Sequence, residues 1–190
     1  MSPGRTPPTF RTKRLVLRPF VESDVEGLHR ILNQDGILRY FPGPDAAPID
    51  RVRAFVVRQM TQWDEIGYAW WAVESAETGA LLGWNGLQYL PETEETEIGF
   101  LLDRSQWGQG LTTEAARIGL RFGFEEAGLE EIVALAHPEN APSRRVIEKL
   151  GLRYIEEAEY FGITVCRYVL ESAGYRATTE DGAPTAARTA

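Results

Sequence analysis

Two glycines one residue apart, Gly108 and Gly110, stand in the stretch RSQWGQGLTTE (residues 104–114), after the apolar run ETEIGFLLD and before the helix-like run TTEAARIGLRFGFEEAG. A chain that passes from strand to helix through such a corner has few ways to do it. Without a Cβ, each glycine lets the backbone turn its N–H groups outward and lets another group approach closely. The helix beyond leaves its first N–H groups unpaired and carries partial positive charge at that end, an arrangement that suits a phosphate. No Ser/Thr-plus-Glu capping box absorbs those donors. The same spacing also serves a plain tight connection, so the corner alone leaves both readings open.

Two familiar phosphate loops do not fit. A P-loop needs Gly-Lys-Ser/Thr, and neither Lys13 nor Lys149 follows a glycine. A Rossmann loop needs a third glycine where Thr113 stands, and an early strand in an alternating β-α-β chain.

The surrounding pattern predicts one α/β domain. RLVLRPF (residues 14–20) alternates as a strand, and ESDVEGLHRILN follows as a helix with Ser23 or Asp24 as cap and Val25, Leu28, Ile31 and Leu32 as its apolar stripe. A second helix, PIDRVRAFVVRQMTQW, spaces Ile49, Val52, Phe55, Val56, Met60 and Trp63 toward a core. YAWWAVES, ALLGWNGLQYL and ETEIGFLLD form an antiparallel meander. Past the corner come a helix stopped by Gly128, the strand EIVALAHP, the short helix APSRRVIEKLG, and a hairpin turning at Phe161-Gly162. The expected order is β-α-α-β-β-β-α-β-α-β-β, a mixed, mostly antiparallel sheet with flanking helices. Residues 10–171 should fold, while 1–9 and 172–190, rich in proline or in small polar residues, should be unstructured.

At the corner the sequence resembles the GNAT superfamily of acyl-CoA-dependent N-acetyltransferases, whose coenzyme loop reads Gln/Arg-x-x-Gly-x-Gly/Ala. Residues 105–110, SQWGQG, match both glycines and depart at Ser105. WGQG followed by TTEA is similar to the branch that includes ribosomal-protein N-terminal acetyltransferases. TKRLVLRPF resembles that branch's first strand, and NAPSRRVIEKLGL its second coenzyme-contacting helix.

The resemblance implies a central pair of strands, EIGFLLD and EIVALAH, splayed at their ends. The pantetheine arm of acetyl-CoA would pair with the backbone of Phe100, Leu101 and Leu102 as an added strand does. The pyrophosphate would meet the N–H groups of Gln106, Trp107, Gly108, Gln109, Gly110, Leu111 and Thr112. Arg144, with Arg145 and Lys149, would offset the chain's acidity near the coenzyme, or would be a solvated helix face. Many family members place a tyrosine acid seven residues after the helix asparagine. Here that position is Ile147; the branch it resembles places a serine three residues after the asparagine instead, which is Ser143 here, and the resemblance implies that Ser143 hydrogen-bonds the thioester sulfur or thiolate. Asn140 would hold the coenzyme, or act as an ordinary N-cap.

Strand alternation puts Glu95, Glu97 and Gly99 on one face. Glu97 would take the amine proton, bind the ammonium, or face solvent. Tyr40, Phe41, Trp84 and Tyr160 would border the acceptor groove, unless these aromatics are core. The acceptor is a primary amine, either a protein N-terminal α-amine or a small molecule such as an antibiotic or polyamine. A non-catalytic acyl-CoA-binding protein is the competing class. A homodimer is also implied.

Other features exclude rather than assign. The formal net charge of -8 argues against nonspecific nucleic-acid binding. One cysteine, Cys166, and two histidines, His29 and His137, leave no disulfide and no metal cluster. No apolar run reaches the roughly 18 residues of a membrane span, and no secretory leader is evident, so a cytoplasmic location is expected.

Overall fold

The computed structural model describes residues 7–44, 46–179 and 187–189. Strand β1 (Thr9–Arg11) turns into β2 (Leu15–Arg18), where Leu15 and Leu17 are fully buried and Val16 and Arg18 are not. Helix α1 (Asp24–Leu32) starts where Asp24 accepts from the Val21 N–H and from the Arg18 guanidinium, and it buries Val25, Leu28 and Ile31. The Ser23 side chain makes no capping bond, so of the two expected caps only Asp24 has work at this end.

Helix α2 (Ile49–Ile66) ends at Gly67, which adopts the left-handed conformation. The expected stripe is off at one position: Met60 is exposed and Gln59 is buried instead. Gln59 points inward because its Oε1 accepts the Trp70 N–H at 3.2 Å, a bond that periodicity of apolar residues cannot reveal. The meander is β3 (Trp70–Ser75), β4 (Leu81–Leu90) and β5 (Glu95–Leu102), antiparallel throughout. Helix α3 (Leu111–Arg121) runs on into a π-helical turn at Phe122–Glu126 and stops at Gly128, whose φ is +71°. Then come β6 (Glu131–Ala136), α4 (Ala141–Lys149), and the hairpin β7 (Arg153–Tyr160) and β8 (Ile163–Glu171). Phe161 and Gly162 turn that hairpin with φ of +55° and +76°, the twist that two-residue hairpins favour.

Two further elements lie in the segment expected to be unstructured from 172 onward. Helix α5 (Ser172–Thr179) continues β8, and β9 (Ala187–Thr189) pairs antiparallel with β1. One aromatic gives α5 its footing: Tyr175 stacks on Phe124 at 4.8 Å and donates its hydroxyl to Glu125. Residues 180–186 and 190 lie outside the described residues, as do 1–6 at the other end. The expected unstructured 1–9 does not extend to its last residues, because buried Pro8 accepts from the Trp71 indole and Thr9 opens β1.

The sheet order is β7-β8-β6-β5-β4-β3-β2-β1-β9. Alternation along each strand divides the core between its faces. Ile98, Leu102, Ile132, Ala134, Tyr168 and Leu170 meet α3 and α4 on one side. Ala72, Trp84 and Leu101 meet α1 and α2 on the other. Cys166 lies buried on the first face, where burial pushes its thiol pKa up, as an inert core thiol requires.

Candidate active site

Among the described residues seven of the eight strand pairings are antiparallel; β5 and β6 run parallel and pair at one position, Glu97 with Val133. On its other side β5 stays paired with β4 up to Leu102 opposite Gly83. Phe100, Leu101 and Leu102 therefore lie past the last pairing with β6, and a gap opens between the C-terminal ends of the two strands. Because the Asp103 N–H turns to Leu82 on β4, alternation turns the polar groups of Phe100 and Leu102 toward the gap. The Leu102 carbonyl already accepts from the Trp107 indole at 2.8 Å. Phe100 is thus the residue of the expected trio best placed to pair with an inserted strand.

At the mouth of this gap the chain makes a 3-10 turn, Arg104–Gln106, capped by Asp103, which accepts from the backbone and hydroxyl of Ser105. That turn consumes the N–H groups of Gln106 and Trp107, which bond to Asp103 and Arg104. The row of free donors thus starts two residues later than expected. The N–H groups of Gly108, Gln109, Gly110, Leu111, Thr112 and Thr113 have no acceptor among the described residues, and the first α3 bond is Glu114 N–H to the Gly110 carbonyl. Gly108 and Gly110 both adopt φ of +76°, and a Cβ on Gly108 would meet nothing. Their absence of side chains serves backbone conformation and access rather than packing. The α1–α2 connection steadies the loop from one side: Gln34 bonds both Asp103 and the Arg104 N–H, and Arg104 bonds the Asp35 carbonyl. Trp107 is half exposed with the Arg104 guanidinium 5.7 Å from its ring. A polyanion fits six unpartnered N–H groups at a helix start; a side-chain cap does not exist there.

Helix α4 starts across the gap, after β6. Asn140 is its N-cap, accepting the Ser143 N–H at 3.2 Å, so the ordinary reading of this asparagine describes what its Oδ1 does. The Ser143 hydroxyl has no partner among the described residues. Ile147 is in the core. Arg144 is bound within the chain: its guanidinium donates to the Tyr168 hydroxyl at 2.8 Å and to the Pro138 carbonyl at 3.2 Å. A side chain so bound ties α4 to the sheet through two of its three guanidinium nitrogens. Arg145 and Lys149 are exposed.

Glu97 lies at the single β5–β6 bridge. It keeps partial access to solvent, yet its carboxyl is crowded by protein and has no hydrogen-bond partner among the described residues. Burial, and then the charge of Glu95, push its pKa up to about 8. Glu95 is the opposite case. Burial alone would raise it, but hydrogen bonds from Tyr160, Thr93 and Arg167 outweigh that and hold it below its ordinary value. Arg167 reaches Glu95 Oε1 from Nε at 2.8 Å and contacts Glu131 at 3.5 Å. Two glutamates one pleat apart thus differ in charge at neutral pH, a pattern common where acid–base work is done. Alternation gives Glu95 only a face of the strand, and no motif singles out Arg167. The available signal was an arginine inside the otherwise apolar strand VCRYVL.

The four expected groove aromatics divide. Tyr40 stacks on His137 at 5.1 Å, joining the α1–α2 connection to the end of β6. The exposed Phe41 meets Trp84 edge-on at 6.2 Å. Trp84 is buried, stacked on Trp70 at 4.1 Å, so it is core that forms a floor rather than a free contact. Both indoles lie over Gly99, one pleat, or about 7 Å, along β5 from Glu97. Tyr160 spends its hydroxyl on Glu95 and borders a cleft of about 150 Å³ with Leu90, Glu92, Thr93, Glu159 and Phe161. No group of His, Cys, Asp and Glu suited to a metal ion occurs among the described residues, and no described helix is long and apolar enough to cross a membrane.

Residues 14–153 match the family model described as an acetyltransferase (GNAT) domain. The chain is similar to an uncharacterized protein, YkkB, of Bacillus subtilis, 32% identical over 75% of this chain and 84% of the relative. It is similar to the uncharacterized N-acetyltransferase YnaD of the same organism, 31% identical over 75% of this chain and 81% of the relative. Among solved structures, a GNAT-family acetyltransferase from Bacillus anthracis superposes with a TM-score of 0.75 at 26% identity, covering 87% of this chain and 99% of that one.

Proposed function

Because the chain belongs to the GNAT acetyltransferase family and is an acetyl-CoA-dependent N-acetyltransferase, we propose that it transfers acetyl directly to a primary amine of pKa near 8, such as a protein N-terminal α-amine, in a ternary complex. The observation that carries this reading is Glu97, an unpartnered carboxyl with its pKa pushed up to about 8, located where β5 and β6 part.

The donors of Gly108 to Thr113 would hold the pyrophosphate, and Phe100 would pair with the pantetheine arm. Bound acetyl-CoA supplies the acetyl group as a thioester. Glu97 would take the proton that the amine loses as its nitrogen bonds the carbonyl carbon. As the C–S bond breaks, the Ser143 hydroxyl would pass a proton from solvent to the thiolate. A base of pKa about 8 takes a proton from an α-ammonium, pKa about 8, at almost no cost. From a lysine-type ammonium of about 10.4 the same transfer is uphill by roughly 3 kcal/mol.

A second reading has one specific feature in its favour. The cleft beside Tyr160 carries Glu92 and Glu159 and would suit the second ammonium of a polyamine. Thiol release measured against a library of N-terminal peptides and a panel of polyamines and aminoglycosides separates the two. Turnover confined to small amines would remove the α-amine acceptor, and binding of acetyl-CoA without turnover on any amine would remove the catalytic roles of Glu97 and Ser143.

A further inference from the structure

The turn between β1 and β2, remote in sequence from the glycine loop, reaches it through Arg14. Arg14 Nη1 donates to the Gln109 carbonyl at 2.9 Å. Its Nε donates to Glu114 Oε2 at 2.7 Å, and Nη2 pairs with the same oxygen at 2.5 Å. The Thr12 hydroxyl donates to the other oxygen, Oε1, so both sides of the Glu114 carboxylate are held from the β1–β2 turn. Thr12 itself is fixed there, accepting from the Leu15 N–H at 2.9 Å. Glu114 opens α3 by bonding the Gly110 carbonyl. The whole start of the helix is therefore clamped to the first hairpin.

The consequence lies in one peptide plane. In a trans peptide the C=O and the following N–H point in opposite directions. With the Gln109 carbonyl drawn to Arg14, the Gly110 N–H points away from the guanidinium. Gly110, with φ of +76° and no Cβ, imposes little resistance to rotation of that plane. If it turned over, a carbonyl oxygen would take the place of a donor in the middle of the row from Gly108 to Thr113, facing an anion with the wrong sign of charge. The Arg14 charge is already matched by Glu114, so its main effect is to fix this plane rather than to attract the anion.

We propose that Arg14 is a positioning residue for the coenzyme, setting the 109–110 peptide so that the loop presents an unbroken row of N–H groups to the pyrophosphate. The proposal rests on the coenzyme reading of that loop.

The test compares acetyl-CoA with acetyl-pantetheine, a thioester that lacks the pyrophosphate, in wild type, Arg14→Ala and Arg14→Lys. Lysine keeps a cation but cannot reach the Gln109 carbonyl and Glu114 together, and it covers the case in which the alanine variant fails to fold. The expected result is that the ratio of kcat/KM for acetyl-CoA over acetyl-pantetheine falls about tenfold in the variants, mostly through KM for acetyl-CoA. An unchanged ratio, including an equal loss with both thioesters, would mean that Arg14 supports only the fold, and would overturn the proposal. Wild-type enzyme that used both thioesters equally well would instead remove the loop's role in holding pyrophosphate, and Arg14's role with it.

Discussion

Glu97→Gln isolates the charge at the β5–β6 bridge, because glutamine has the shape of the protonated side chain and cannot ionise. In the folded protein the carboxyl has a pKa pushed up to about 8, against 4.5 for an unhindered glutamate. A group whose folded pKa is raised keeps its proton in the native state after the unfolded chain has lost it. Stability contributed by the protonated form is thus complete below about pH 4.5 and is lost as pH rises toward 8. At roughly 1.4 kcal/mol per unit, the full difference approaches 5 kcal/mol. Between pH 5 and 9 about 4 kcal/mol of it is in play, and partial solvent access should reduce this to about 2 kcal/mol. Urea unfolding of wild type and Glu97→Gln at each pH gives the difference directly, since all other titrating groups cancel. Wild type should match the variant, up to a constant offset, at pH 5 and fall progressively below it by pH 8. A difference that stays level within about 0.5 kcal/mol from pH 5 to 9 would show that Glu97 titrates normally, and the argument for it as a matched base would fail.

Three other outcomes follow from the site. Glu95→Gln removes the nearby negative charge and leaves Arg167 without its main partner, so the Glu97 pKa should fall and the rising limb of the pH–rate profile should move to lower pH; no movement would dissociate the two glutamates. Ser143→Ala should lower turnover at saturating substrates roughly 100-fold, the lower end for loss of a proton donor, while the melting temperature stays unchanged. Wild-type turnover in that variant would end the role given to Ser143. Arg144→Ala should lower the urea midpoint of unfolding, through the lost bonds to Tyr168 and Pro138, and should leave KM for acetyl-CoA unchanged within about twofold.

What the sequence made legible was local. Strand alternation at residues 14–20, the glycine that stops the helix at Gly128, and the turn at Phe161-Gly162 are written in a few adjacent residues, and the structure has them where expected. The glycine corner was legible for the same reason, though which N–H groups it frees depended on the 3-10 turn that Asp103 caps. Long-range partners were hidden. Arg14 meets Gln109 and Glu114 across about a hundred residues, and no spacing rule connects them. Arg144 reads as a surface cation until the fold brings the Tyr168 hydroxyl, 24 residues on, to its guanidinium. Gln59 replaces Met60 in the core for the sake of one backbone N–H, and the stacking of Tyr175 on Phe124 joins α5 to a turn some fifty residues earlier. The acid–base character of Glu97 could not be read either, because alternation gives the face of a side chain but not how tightly its neighbours exclude water.

The lone pairing of Glu97 with Val133 also divides the sheet along the chain. Strands β1 to β5 come from residues 9–102 and β6 to β8 from residues 131–171, so each leaf is nearly contiguous in sequence, with α3 as the hinge pin between them. A seam that coincides with a break in the chain's own order lets each leaf gather its contacts without waiting for the other. Amide protons on the two sides of the seam should then exchange as two cooperative blocks, and a ligand strand laid into the gap would merge them into one.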